Sequence, residues 1–317
     1  MKQAKHLIDL SSWDRAAIDD LLTLSLERRR QMDAGEAPPQ TLTGCLQFNL
    51  FYENSTRTNL SFEVAGKALG AIVSVVPVAA SSVHKGESLR DTVQTLCAQG
   101  ARFVVIRSGE RGAVSAARDA ARDAGFGTGI VNAGEGAFGH PTQALLDAGT
   151  ILHALGRAPD EGLGGLTVAI CVDVRHSRVA ASVIPLFTRL GARLRICAPQ
   201  ELLPDPDTLP AGVFTTTERD EALGGADAVM ALRVQAERMS DDRYTGSADF
   251  HRDYGVTYEA LSAASPGALV LHPGPMNRGI EIAGGVADDP DRSLILSQVR
   301  QGVALRMAVL ETLARED

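Results

Sequence analysis

Aromatic residues make up only 4% of the 317-residue chain, with a single tryptophan among them, which argues against stacking platforms for bases or sugars. Basic charge is also short, since 31 Lys+Arg stand against 39 Asp+Glu for a formal net charge of -8. A general nucleic-acid binder or a polybasic membrane anchor needs the opposite balance, to displace counterions from phosphates or to hold anionic lipid. No apolar run approaches the roughly 18 residues of a membrane span. The opening MKQAKHLIDLSSWDRAAIDD meets charge too early for the apolar core of a signal peptide. Neither nucleic acid nor a membrane is an expected partner. Cysteine is scarce: Cys45, Cys97, Cys171 and Cys197 are scattered, with no C-x-x-C and no histidine at metal-ligand spacing. Buried free thiols in a reducing cytoplasm are expected, and a metal site is not. Repeats and low-complexity tracts are lacking too.

What is present is ordinary globular material, 44% hydrophobic and 22% charged, in a length that at roughly 150 residues per domain predicts two domains. Short β-rich runs, several of them continuously apolar as strands covered on both faces should be, lie at Leu46–Phe51, Ile72–Val76, Phe103–Ile106, Thr167–Val172, Leu194–Cys197, Ala228–Leu232 and Ala268–Leu271. Helical periods lie between them at Asn59–Leu69, Ser88–Ala98, Gly112–Ala124, Pro141–Leu155 and Val179–Leu190. This βαβ rhythm predicts an α/β protein of two domains, each a parallel sheet flanked by helices. The glycine-rich stretch Gly156–Gly165 reads as a hinge or domain boundary, and Ser293–Ala314 as one amphipathic helix.

Four constellations carry chemistry. S-T-R-T, Ser55 to Thr58, follows a strand and opens a helix. The free N–H groups of a helix start, three hydroxyls and the fork of Arg57 suit a phosphate-sized anion there. The second, Gly134 to Gln143, contains a literal G-x-G-x-x-G before H-P-T-Q, a pattern associated with dinucleotide binding. A Rossmann unit needs an acid to read the ribose roughly 20 residues on, whereas the next strand ends at Asp173, 34 residues beyond Gly139. Pro141 instead fits a helical first turn, which places His140 and Gln143 on one face, suited to hydrogen bonding an uncharged carbonyl and its amide. The third is a set of arginines just past strand ends, Arg107, Arg175, Arg178 and Arg233, where open α/β sheets bind ligands and where arginine forks match carboxylates and phosphates. The fourth, H-P-G-P-M-N-R-G from His272, contains a proline-fixed turn whose carbonyl oxygens suit a substrate amide. The polar loop Ser81 to Glu87 lies between a strand and a helix.

S-T-R-T, H-P-T-Q, R-V-Q (Arg233 to Gln235) and H-P-G-P, in this order across the whole chain, resemble the aspartate/ornithine carbamoyltransferase family. The R-V-Q and H-P-G-P-M-N-R-G stretches are similar to its aspartate branch; the H-C-L-P turn of the ornithine branch is not present. The resemblance implies a carbamoyl-phosphate domain over 1–149, an aspartate domain over 150–292, and a C-terminal helix, 293–317, returning to the first domain. It implies that Ser55, Thr56, Arg57, Thr58 and Arg107 hold the phosphate, that Thr58, Arg107 and His140 polarise the carbonyl, and that Gln143 with carbonyls near Pro273, Gly274 and Pro275 orients the NH2. Arg178, Arg233 and Gln235 would clamp the carboxylates of aspartate, and Glu53 would form ion pairs between domains in a closed state. Ser81 and Lys85 would come from a neighbouring subunit, so a homotrimer is expected. Gly274 stands where relatives with a zinc-bearing regulatory chain carry leucine, which implies a free homotrimer or a dihydroorotase-like partner. The implied reaction is carbamoyl transfer to L-aspartate in pyrimidine biosynthesis, without cofactor. The alternatives are a carbamoyltransferase for ornithine or another amino acid and, in a different class, an NAD(P)-dependent dehydrogenase. A net acidic chain is consistent with anionic substrates, because five focused cations outweigh the mean charge locally.

Overall fold

The computed structural model describes residues 5–77, 86–235 and 248–315, and the chain divides into two compact units, Met1–Gly149 with Val299–Asp317, and Thr150–Gln298. Among the described residues no helix is long and apolar enough to cross a membrane.

The first unit runs α1 (Arg15–Asp33), β1 (Leu46–Phe51), α2 (Thr56–Ala68), β2 (Ile72–Val76), α3 (Leu89–Ala98), β3 (Ala101–Ser108), α4 (Ala113–Ala124), β4 (Gly129–Glu135) and the start of α5 (Pro141–Leu155). Its four strands are all parallel, in the order β2-β1-β3-β4. One face is apolar: Leu50, Val104, Ile106 and Ile130 pack with Val93 and Leu96 of α3 and with Val114, Ala117 and Ala120 of α4. The alternate residues of β1 are polar and buried. Gln47 Nε2 donates to Asn49 Oδ1 at 2.8 Å and to Phe62 O at 3.0 Å, while Asn49 Nδ2 donates to Asn59 Oδ1 at 2.9 Å. Buried amides must be satisfied, so these bonds tie α2 to β1 in one position. Gly66 lets the two approach, for a Cβ there would lie 2.2 Å from Gln47 Oε1.

The second unit contains β5 (Thr167–Val172), α6 (Arg178–Arg189), β6 (Arg193–Cys197), β7 (Phe214–Thr216), α7 (Arg219–Leu223), β8 (Ala228–Leu232), α8 (Ala248–Tyr254), α9 (Tyr258–Leu261), β9 (Leu269–Leu271), α10 (Gly284–Ala287) and the beginning of α11 (Ile295–Ala314). It too has a parallel sheet, ordered β7-β6-β5-β8-β9. Every residue of β5 and β8 is buried, as two covered faces require.

From Arg300 onward α11 docks in the first unit. The Arg28 guanidinium grips Glu311 through Nε and Nη2 at 2.7 and 2.9 Å, Gln301 Nε2 donates to Ser25 Oγ at 2.7 Å, and Arg300 pairs with Asp33. The C-terminal helix thus packs back on the N-terminal one. It is less amphipathic than its sequence reads, because Ala304, Leu305, Met307, Ala308, Val309 and Leu310 are all buried, covering the full turn. The division between the two units falls within α5, and Gly156–Gly165 follows that helix directly.

Candidate active site

In each sheet the strand order reverses at one point, beside β1 and β3 in the first unit and beside β5 and β8 in the second. Ligands bind outside the carboxyl ends of strands at such a point. In the first unit the chain leaves β1 at Phe51, paired with Arg107 of β3, and Tyr52 N–H still donates to Arg107 O at 2.9 Å. Helix α2 then begins at Thr56, three residues earlier than its apolar period predicts, so Thr56, Arg57 and Thr58 form its first turn. The first bond closing that turn is Asn59 N–H to Ser55 O at 3.0 Å, which leaves the preceding N–H groups without an acceptor in the helix. Ser55 makes no side-chain cap, so its hydroxyl is not spent on the helix. Thr56 and Arg57 are exposed and Thr58 is buried. This helix end, with Arg57, is a ready anion site.

Arg107 lies inside β3 rather than beyond it, as the penultimate strand residue. Its Nη1 donates to Ala133 O at 3.2 Å, and its Nε stands 3.6 Å from Glu53 Oε2. The strand ladder and a carboxylate hold its fork at the carboxyl edge of the sheet. His140, at the start of α5, is 3% exposed with Nδ1 3.4 Å from Thr142 Oγ1. Gln143 is also buried, and its Nε2 donates to Asp147 Oδ1 at 2.8 Å.

The glycine run is a turn. Glu135 N–H donates to Gly139 O at 2.9 Å, folding the chain back on itself, and at Gly136 (φ 45°) a Cβ would lie 2.8 Å from Gly109 O. The strand after α5 is β5, which belongs to the other sheet, while β4 ends its own sheet as an edge. The βαβ unit that a dinucleotide site needs is therefore missing at this motif, which removes the basis of the dehydrogenase alternative.

In the second unit the segments after β5 and β8 are joined by Asp173, a fully buried carboxylate. Its Oδ1 accepts from His176 N–H at 3.2 Å and lies 2.9 Å from His176 Nδ1, and its Oδ2 accepts from Gln235 N–H at 3.3 Å. Gln235 Nε2 in turn donates to His176 O at 2.9 Å. Arg178 opens α6, capped by Ser177, and Arg233 directly follows β8; both are half-buried. Arg175 is exposed and turned to Glu201 O at 3.0 Å, a structural contact. Asp173 and His176 were not among the residues picked out from sequence, although D-V-R-H-S directly after an apolar strand was the available signal.

The H-P-G-P turn is held by a buried pair. His272 Nδ1 accepts from Gly274 N–H at 2.8 Å, so the ring proton sits on Nε2 and points at Glu281 Oε1, 3.2 Å away. His272 N–H donates to Gln298 Oε1 at 2.9 Å, and Asn277 Nδ2 reaches Val234 O at 3.4 Å, tying this turn to the R-V-Q segment. The Gly274–Pro275 peptide is cis. Ser81 and Lys85 lie outside the described residues.

The four motifs thus stand at the carboxyl edges of two parallel sheets, phosphate-type donors in one unit and carboxylate-type donors in the other. Residues 5–153 match the aspartate/ornithine carbamoyltransferase, carbamoyl-P binding domain, and residues 164–313 match the Asp/Orn binding domain of the same family. The chain is 46% identical to the aspartate carbamoyltransferase catalytic subunit of Parvibaculum lavamentivorans, over 98% of this chain and 92% of that one. To that of Rhodopseudomonas palustris strain BisB18 it is 48% identical, over 98% and 94%. Among solved structures, aspartate transcarbamoylase from Trypanosoma cruzi in complex with carbamoyl phosphate and aspartate superposes with a TM-score of 0.85 at 31% identity, covering 98% of this chain and 97% of that one. Ornithine carbamoyltransferase from Thermus thermophilus gives 0.84 at 26% identity, over 98% and 99%. Motifs, fold and matches along both units agree that this chain belongs to the aspartate/ornithine carbamoyltransferase family.

Proposed function

We propose that the chain transfers the carbamoyl group of carbamoyl phosphate to the amine of L-aspartate, giving N-carbamoyl-L-aspartate and phosphate, as a cytoplasmic step of pyrimidine biosynthesis. The observation that carries this reading is near full-length identity of 46 to 48% to aspartate carbamoyltransferase catalytic subunits. The two arginines and the glutamine at the carboxyl edge of the second sheet support a dicarboxylate as acceptor, since guanidinium forks match carboxylates. Ornithine, with a cationic side chain, would meet like charge there.

In this reading Ser55, Thr56, Arg57, Thr58 and Arg107 bind the phosphate through the open start of α2 and two guanidinium groups. Thr58, Arg107 and His140 donate to the carbonyl oxygen as it becomes an oxyanion. Gln143 Oε1 and the carbonyls near Pro273, Gly274 and Pro275 accept from the NH2. Arg178, Arg233 and Gln235 hold the aspartate so that its neutral amine faces the carbonyl carbon. The C–N bond forms, the C–O bond to phosphate breaks, and the amine proton leaves with phosphate.

Ser81 and Lys85 complete the site from a neighbouring copy in a homotrimer. Support comes from exposed apolar side chains on the first unit, where Leu60 and Val64, four residues apart on α2, are 51% and 50% exposed. A dihydroorotase-like protein is the proposed further partner.

Incubation with carbamoyl phosphate and aspartate should yield carbamoyl-aspartate; product with ornithine alone would overturn the assignment. Inactive Arg57→Ala and Lys85→Ala chains, mixed and reassembled, should regain activity, because some sites then carry neither lesion. No recovery in demonstrably mixed oligomers would refute the shared site.

A further inference from the structure

The carboxamide of Gln143 can face a ligand with either end, and the two ends recognise opposite chemistry: Oε1 accepts from an NH2, whereas Nε2 donates. Its neighbours decide which end is presented. Asp147 lies four residues on in α5, on the same helical face, and its Oδ1 accepts a hydrogen bond from Gln143 Nε2 at 2.8 Å. A carboxylate only accepts, so the amide cannot flip without setting oxygen against oxygen. Gln143 Oε1 is thereby turned away from Asp147.

Asp147 is fully buried, and a buried carboxylate stays ionised only with a compensating charge. Positive charge in the same buried region is supplied by Arg306 of α11, itself 3% exposed, whose guanidinium lies over the Phe62 ring at 4.9 Å with Nη1 donating to Gly302 O at 3.0 Å. Burial pulls the Arg306 guanidinium down to about 9, the negative charge of Asp147 pulls it back up, and Arg107 pushes it further down. It is still a cation at neutral pH. Glycines bring the two helices close enough for this: a Cβ at Gly149 of α5 would lie 3.0 Å from Gln301 Nε2, and one at Gly302 of α11 would lie 3.4 Å from Leu146 Cδ2.

We propose that Asp147, with Arg306 as its buried counter-charge, is a positioning residue that fixes the Gln143 amide oxygen toward the substrate and so makes the site select a carbamoyl NH2 over the methyl group of an acyl phosphate. The inference rests on the carbamoyl-transfer reading above and deepens it. Asp147 does not touch substrate; it acts through Gln143. With Asn at position 147, either end of Gln143 finds a partner, and the preference for a donor-bearing ligand weakens. A merely structural carboxylate would change stability without changing that preference.

The test compares kcat/KM for carbamoyl phosphate and acetyl phosphate, each with aspartate, in the wild-type trimer, in Asp147→Asn and in the double variant Asp147→Asn/Arg306→Met. The double variant removes both buried charges together, so it is expected to fold where the single variant leaves Arg306 uncompensated. Discrimination should fall about two- to tenfold in every folded variant, from an amide free to turn either way up to the scale of one lost hydrogen bond, while KM for aspartate stays near the wild-type value. Wild-type discrimination in the folded double variant would overturn the inference alone. A wild-type chain that transfers no carbamoyl group would overturn the functional reading beneath it.

Discussion

Replacing Asp173 with alanine should damage stability and aspartate use together, while sparing carbamoyl phosphate. The carboxylate is fully buried and receives His176 N–H at 3.2 Å, His176 Nδ1 at 2.9 Å and Gln235 N–H at 3.3 Å. Hydrogen bonds to a charged group contribute about 1.5–3 kcal/mol each. Two of these are long, so the lower end applies to them and the loss totals about 5 kcal/mol. In urea at a typical slope this lowers the midpoint by about 2 M. The functional effect follows from geometry. Asp173 joins the segment after β5 to the Gln235 backbone, so without it the R-V-Q segment is held there only by the bond from Gln235 Nε2 to His176 O. KM for aspartate should rise at least tenfold, about 1.4 kcal/mol of lost positioning, with KM for carbamoyl phosphate changed far less, because its phosphate and carbonyl donors belong to the other unit and only the acceptors of its NH2 lie in this one. Asp173→Asn, keeping one acceptor oxygen, should fall between. Initial rates with each substrate varied at saturating levels of the other make the comparison. An unchanged KM for aspartate in a folded Asp173→Ala chain, or equal changes for both substrates, would refute the reasoning.

Gly66→Ala should destabilise by about 1–3 kcal/mol through overpacking, since its Cβ would meet Gln47 Oε1 at 2.2 Å and Val73 Cγ2 at 2.9 Å; a urea midpoint equal to wild type would contradict it. Because α2 would shift with it, carbamoyl phosphate affinity should weaken as well. Glu311→Ala strips a two-pronged partner from Arg28, whose side chain is only 12% exposed. A loss of about 2–3 kcal/mol is expected for a largely buried cation left behind, read as a lower Tm. Burial pushes the Cys197 thiol up to about 12 and raises Cys171 as well, so iodoacetamide at pH 8 should label half-exposed Cys45 and spare both until the chain unfolds. The folded state keeps the Cys197 proton that the unfolded chain releases near 9. The stabilisation by that thiol is therefore full below pH 9 and fades toward pH 12, so the cost of Cys197→Ala should shrink over that range.

β5 and β8 were legible because both their faces are covered, which makes them continuous apolar runs, while the largely exposed β2 was legible from its β-branched residues. Where that signal thins, reading failed. β7 has three residues, none of them buried, and exists by pairing with β6. The start of α2 was displaced by three residues because S-T-R-T offers caps rather than apolar period; the buried amides of Gln47 and Asn49 settle where the helix begins. α1 was not anticipated, although Ile18, Leu21, Leu22 and Ser25 follow the helical spacing, because acidic and basic residues crowd the same stretch.

By itself the sequence determined the kind of chemistry: the residue types at S-T-R-T, H-P-T-Q, R-V-Q and H-P-G-P suit a phosphate, a carbonyl, a dicarboxylate and an amide, and hydrogen-bonding capacity is a property of the side chain alone. Direction was decided only by the tertiary structure. The Gln143 amide nitrogen is taken up by the buried Asp147, and Arg306, 159 residues further along, feels the charge of that carboxylate. Which tautomer His272 adopts depends on Gly274 and Glu281, and what holds Gln235 depends on Asp173. The bond from Gln235 N–H to Asp173 joins residues 62 apart in the chain across 3.3 Å, and no local pattern of residues encodes such a distance.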